Sequence, residues 1–151
     1  MYGVTNRNAY RYDPSQRALE MFARRYAKEL VRGEDASIKR YGDDDYIIWK
    51  YVGSAPDGNT FRTGTLQNSA NWIVYRLADV LLMKAEALSQ LNRYGEALQI
   101  INQIRERADV SPLSLVNSAT IFEDAILDER ALELAYEGKR WFDLLRMGRR
   151  N

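Results

Sequence analysis

Histidine and cysteine are both missing from this sequence. Their absence excludes thiol nucleophiles, Ser-His-Asp chemistry and the usual zinc sites. It also leaves no disulfide from which to read a redox compartment. Charge of neither sign is in excess: 22 Lys and Arg stand against 21 Asp and Glu, a formal net charge of +1. Nothing in that balance calls for a nucleic-acid partner, and the local cluster of Arg146, Arg149 and Arg150 reads as a solvated end. No run approaches the roughly 20 apolar residues that a membrane-spanning helix needs. The opening MYGVTNRNAY lacks the basic start and apolar run of a secretory signal. The chain as it stands is expected to be soluble, its parent either cytosolic or shorn of a targeting segment.

What is present is an ordinary globular composition, 46% hydrophobic and 28% charged. A chain of 151 residues is long enough for one domain. Residues 1–70 read as loop-rich. Within them Asp13 and Pro14 start a helix over about 14–31, whose apolar residues Leu19, Phe22, Ala23, Tyr26, Ala27 and Leu30 recur at helical spacing. Asp43, Asp44 and Asp45 read as a solvated loop, since the spaced ligands and distal Glu of a calcium loop are missing. Residues 46–52, aromatic and β-branched, suit a short strand. SAPDGN reads as a turn.

From residue 71 to 151 the pattern is helical. Apolar residues at 73, 74, 77, 78, 81, 82, 85 and 88 make a wide face, and Ala97, Leu98, Ile101, Ile104 and Ala108 continue the period. The link around Asn92 and Arg93 is so short that the two helices must pack as an antiparallel hairpin. Ala85 and Ala97 suit its close contact. The hairpin resembles one tetratricopeptide repeat, with Leu81 where a large aromatic is usual. Thr120 and Glu123 suggest a capping box, a helix to about Glu137, and a left-handed stop at Gly138. Trp72 and Trp141 read as core. The expected fold is mainly α, tetratricopeptide-like hairpins preceded by an irregular segment with a short strand, in one compact unit.

Glu129, Glu133 and Glu137 recur every fourth residue and so share one stripe of a helix. Their neighbours Ile126, Leu132, Leu134 and Tyr136 leave little polar face, so some of these charges must be buried. A buried carboxylate costs several kcal/mol unless it is paired. Arg76, Arg105, Arg107, Arg130 and Arg140 are the bases at hand. The stripe therefore reads as a structural ion network of Arg76, Arg105, Glu129, Arg130, Glu133, Glu137 and Arg140. An acid pair for hydrolysis is the competing reading, but nearby arginines oppose the raised pKa that a catalytic acid needs. Removing Glu133 is expected on this basis to cost about 3–5 kcal/mol.

The blocks YRLADVLLMKAEAL, ALQIINQIRERA and ILDERALELAYEGKRWFDLLRMG resemble the C-terminal region of the SusD/RagB family. The resemblance rests on Arg76, Asp79 and Glu86 in the first block and on Asn102 and Arg105 in the second. In the third it rests on Glu129, Arg130, Glu133, Glu137, Gly138, Arg140, Trp141, Asp143 and Arg146. It implies a surface-exposed outer-membrane lipoprotein of Bacteroidetes that binds a nutrient, glycan or oligosaccharide, and carries out no chemistry. It implies a SusC-like TonB-dependent transporter as partner, helical repeats as scaffold, ligand loops mostly elsewhere, and no cofactor. Family members are several times longer and begin with a signal peptide and a lipidated cysteine, so this chain is expected to be a C-terminal fragment whose parent meets the membrane through a lipid anchor. The other reading is a cytosolic tetratricopeptide-type adaptor for a protein partner, although one repeat is too few for a solenoid groove.

Sugar sites present aromatic rings beside amide and carboxylate groups. Tyr10 and Tyr12 in irregular chain, and Trp49 in the expected strand, are the ligand-binding candidates on that criterion.

Overall fold

In the computed structural model the described residues are 29, 31–33, 36–41, 45–51, 72–114 and 118–148. The chain divides into two compact units, 1–72 and 73–151, where a single one was expected. Each is taken by itself.

In the first unit, strands β1 (Ile38–Tyr41) and β2 (Asp45–Ile48) form an antiparallel pair, with Ile38 opposite Ile48 and Tyr41 opposite Asp45. The strand expected at 46–52 is thus shorter. It gives way to a 3₁₀ turn at Trp49–Tyr51, and the Trp49 N–H closes on the Ser37 carbonyl at 2.8 Å. Asp45, expected in a loop, opens β2. Before β1, Arg32 Nε donates to Glu29 at 2.7 Å. The helix expected over about 14–31 lies outside the described residues except at its end, where Val31–Gly33 form a turn and the Gly33 N–H bonds the Glu29 carbonyl at 2.8 Å.

The second unit is helical: α1 (Leu77–Gln90), α2 (Tyr94–Arg107), α3 (Ala119–Glu133) and α4 (Arg140–Arg146). α1 and α2 form the tetratricopeptide-like hairpin. Asn92 turns it in the left-handed region, φ 60°, which asparagine tolerates better than most residues. Ala85 and Ala97 are both fully buried, so the small side chains let the two helices approach closely. With Leu88 and Ile101 they form a core that α3 completes with Phe122 and Ile126. Further along, Leu82, Ile104 and Leu134 make a second cluster, and Leu81 packs against it.

Two boundaries differ from expectation. No side chain caps α3, whose N-cap is Ser118; Glu123 instead accepts from Gln90 Nε2 at 2.7 Å. Reaching across to α1 thus replaces the local capping box. α3 also ends at Glu133 and not at Glu137, because the backbone turns left-handed at Tyr136 (φ 65°) as well as at Gly138 (φ 74°). Trp72 and Trp141 are both exposed, the latter at 64%, and neither is core.

Candidate functional site

The early end of α3 places Glu133 at a helix terminus and Glu137 in the turn that follows. Their carboxylates converge on Arg76, which stands in extended backbone immediately before α1. Arg76 Nη1 donates to Glu133 at 2.6 Å, and its Nε and Nη2 both reach Glu137, at 3.0 and 2.8 Å. Nη2 also takes the Glu133 carbonyl oxygen at 2.5 Å. That carbonyl is one of the orphan acceptors at a helix C-terminus, where a cation is favoured. Burial by itself would lower the pKa of Arg76; the hydrogen bonds it donates to Glu137 and Glu133 outweigh it and hold the guanidinium above its ordinary value. Arg107, at the end of α2, is a second donor to the same Glu133 oxygen. One turn earlier on α3, Glu129 pairs with Arg105 at 2.8 Å. Arg140 donates to the Leu127 carbonyl at 2.9 Å. Beside the stripe, burial pushes the Tyr136 phenol up to about 12.

Arg130 does not join the stripe, although it lies three residues from Glu133. It points to the other side of α3, into a second and more deeply buried centre. There its Nη2 donates to Asp79 of α1 at 2.9 Å and its Nε stands 3.0 Å from Asp143 of α4. Arg130, Asp79 and Asp143 are 3%, 1% and 2% exposed. Lys139 closes on Asp79 at 3.1 Å and lies 4.0 Å above the Tyr75 ring. Arg146 bridges Asp143 at 3.1 Å and Glu86 at 2.6 Å. It is therefore a tie between α4 and α1, not the solvated arginine that the sequence suggested.

Asp79, Asp143, Glu86, Lys139 and Arg146 were not legible as network members. The pairs that tie α1 to the others, Asp79 with Arg130 and Lys139 and Glu86 with Arg146, join residues about fifty to sixty positions apart, beyond any helical spacing rule. The one available signal was a set of acids placed among apolar helix residues. Of the ligand candidates, Tyr10 and Tyr12 lie outside the described residues, and Trp49 is half-buried in its 3₁₀ turn. Among the described residues no group of His, Cys, Asp or Glu is arranged to hold a metal ion.

The arrangement is a lattice of guanidinium–carboxylate pairs joining all four helices. Six carboxylates (Asp79, Glu86, Glu129, Glu133, Glu137, Asp143) meet six cations (Arg76, Arg105, Arg107, Arg130, Lys139, Arg146). The sequence matches a known family model, that of the SusD family, over residues 14–151. This chain belongs to the SusD family. A SusD-like protein of Formosa agariphila is 49% identical over 90 residues, 52% of this chain and 17% of that protein. The starch-binding protein SusD of Bacteroides thetaiotaomicron is 36% identical over 147 residues, 81% of this chain and 25% of its own length. A solved SusD superfamily protein of Parabacteroides distasonis superposes with a TM-score of 0.65 at 31% identity, covering 89% of this chain and 31% of that one. The chain thus spans between about a sixth and a third of these SusD relatives.

The geometry lowers the cost expected for losing Glu133. Its side chain is 2% exposed, but Arg76 is 25% exposed and keeps Glu137, and Arg107 is 59% exposed. Neither cation is stranded without water or a partner. Glu133→Ala is therefore expected to lose about 1–3 kcal/mol, the range for a charged hydrogen-bond partner, instead of the cost of an uncompensated buried ion. Urea melts check this. A loss as small as that of Glu96→Ala, whose exposed pair with Arg93 serves as control, would show the stripe to be merely solvated.

Proposed function

We propose that this chain is the scaffold part of a cell-surface nutrient-binding protein. The whole protein takes up a glycan or oligosaccharide and passes it to a TonB-dependent, SusC-like transporter in the outer membrane, to which a lipid anchor holds it. The observation that carries this reading is the family match over residues 14–151, together with a relative that bears the name of a starch-binding protein. The ion lattice supports the scaffold role. Its carboxylates are occupied by arginine and lysine, which suits a structural role better than that of a catalytic acid pair. No described helix is long and apolar enough to cross a membrane.

The longer protein that carries this chain is expected in the outer-membrane fraction, cleaved by protease on intact cells, and extracted by detergent together with a TonB-dependent transporter. Recovery in the cytosol without that transporter would overturn the reading in favour of an adaptor. The 151-residue chain alone should show no saturable heat with maltooligosaccharides at sub-millimolar concentration. Saturable binding abolished by Trp49→Ala would place a sugar site in the scaffold itself.

A further inference from the structure

The outward face of α2 carries a stripe that the hairpin core does not use. Gln99, Gln103 and Glu106 stand at i, i+4 and i+7 on it, and all three are exposed. The chain leaving α2 folds back beside this stripe and is pinned there. Asp109 is left-handed, φ 54°, and the Val110 N–H closes on the Arg105 carbonyl at 2.9 Å. Arg105 Nε holds the Ser111 carbonyl at 2.8 Å. Asn102 then grips one residue of the returning segment at both main-chain atoms. Its Nδ2 donates to the Leu113 carbonyl at 3.0 Å, and its Oδ1 accepts the Leu113 N–H at 2.8 Å. An open groove of about 710 Å³ is lined by the returning segment and by the stripe on α2.

Asn102 shows how a primary amide on this face satisfies the N–H and C=O of one residue. Gln99 and Gln103 carry the same donor and acceptor into the groove. We propose that the groove holds a short extended peptide segment of a partner protein, its main chain read by Gln99 and Gln103. Leu98 and Pro112 supply apolar contact for alternate side chains of such a strand. Glu106 and Asp109 put two exposed carboxylates at one end and so select a lysine or arginine there over an acidic residue. A sugar fits less well, because among the described residues no aromatic ring lines the groove for stacking. The inference stands apart from the nutrient-binding reading, and a negative result here leaves that reading intact.

The test is an NMR titration of the ¹⁵N-labelled chain that follows the glutamine side-chain NH₂ signals. The probe is a blocked peptide of alternating threonine and lysine, about seven residues and so roughly 23 Å long when extended. Comparison probes are the same peptide N-methylated at alternate residues, a threonine–glutamate version, and maltoheptaose. Saturable shifts of the Gln99 and Gln103 amides are expected with the threonine–lysine peptide. Binding should weaken about tenfold with the N-methylated and glutamate peptides, and by a similar factor in Gln103→Ala with an unchanged circular dichroism spectrum. Absence of saturable shifts, equal binding of the N-methylated peptide, unaltered binding by Gln103→Ala, or a response to maltoheptaose alone would each overturn the proposal.

Discussion

Arg130→Ala is expected to cost about 3–5 kcal/mol of folding stability, the range for breaking a buried ion pair from one side. The side chain is 3% exposed and stands between Asp79 and Asp143, themselves 1% and 2% exposed. Removing the guanidinium leaves two carboxylates buried on two different helices. Lys139 and Arg146 remain in contact with them, at 3.1 Å each, but both approach from the more exposed side. Charge on the carboxylates is then balanced less well, and a void the size of a guanidinium lies between α1, α3 and α4. A loss of this size is a large share of the roughly 5–15 kcal/mol that holds a domain folded. Arg130→Met separates the two contributions, because methionine fills much of the void and restores no charge. If repulsion and desolvation of the acids dominate, Met and Ala will be about equally destabilising. Arg146→Ala supplies the contrast: its side chain is 44% exposed, and the buried Asp143 that it leaves keeps Arg130, so the loss should be smaller, about 1–3 kcal/mol. Urea melts in which Arg130→Ala lies as close to the wild type as Arg146→Ala does would remove the buried centre from the account of stability.

The helical half of the fold was legible because it rests on local periodicity. The hairpin, its turn at Asn92 and the tight contact of Ala85 with Ala97 follow from residues within about a dozen positions of each other. Features that depend on distant chain were misjudged. Thr120 and Glu123 have capping-box spacing, yet Glu123 is claimed by Gln90 of α1. Glu137 has the right spacing to continue α3, yet the left-handed turn at Tyr136 ends the helix first and delivers Glu137 to Arg76. Trp141 sits among apolar neighbours, and period alone does not say which of two apolar faces is covered. β1 went unseen because two of the four residues IKRY are charged, which masks the strand pattern.

The candidate site divides in the same way. That the acidic stripe needs cations was legible from burial: three carboxylates among aliphatics on one helix cannot stay unpaired. Which cation serves which acid was not. Arg105 reaches Glu129, and Arg76 is shared by Glu133 and Glu137, whereas Arg130 leaves the stripe altogether. One residue separates Glu129 from Arg130, about 100° around a helix, and that rotation sends them into two different ion centres.

Phe122→Ala is expected to be as costly as the loss of Arg130, about 3–5 kcal/mol, through a cavity and not a charge. Phe122 is 1% exposed and is the aromatic side chain with which α3 enters the hairpin core, against Ala85, Leu88, Ala97 and Ile101. Tyr94, at the start of α2, meets it edge-on with ring centroids 5.6 Å apart at 76°. Such a pair adds about 0.5–1.5 kcal/mol to simple burial. No side chain caps the start of α3. The first turn of that helix is thus held by Phe122 packing and by the exposed Gln90–Glu123 bond. Surrounding alanines cannot move inward to fill the space a lost ring leaves, so the cavity should persist. Hydrogen exchange should then show a local signature: amides in the first turns of α3 lose protection before those at its Glu133 end, where the arginine lattice remains. Phe122→Leu, which keeps most of the volume and none of the ring geometry, should cost about 1–1.5 kcal/mol. Exchange that rises uniformly along α3 in Phe122→Ala would mean that the helix is held as one unit by its ion pairs, and that the aromatic contact does not separately anchor its start.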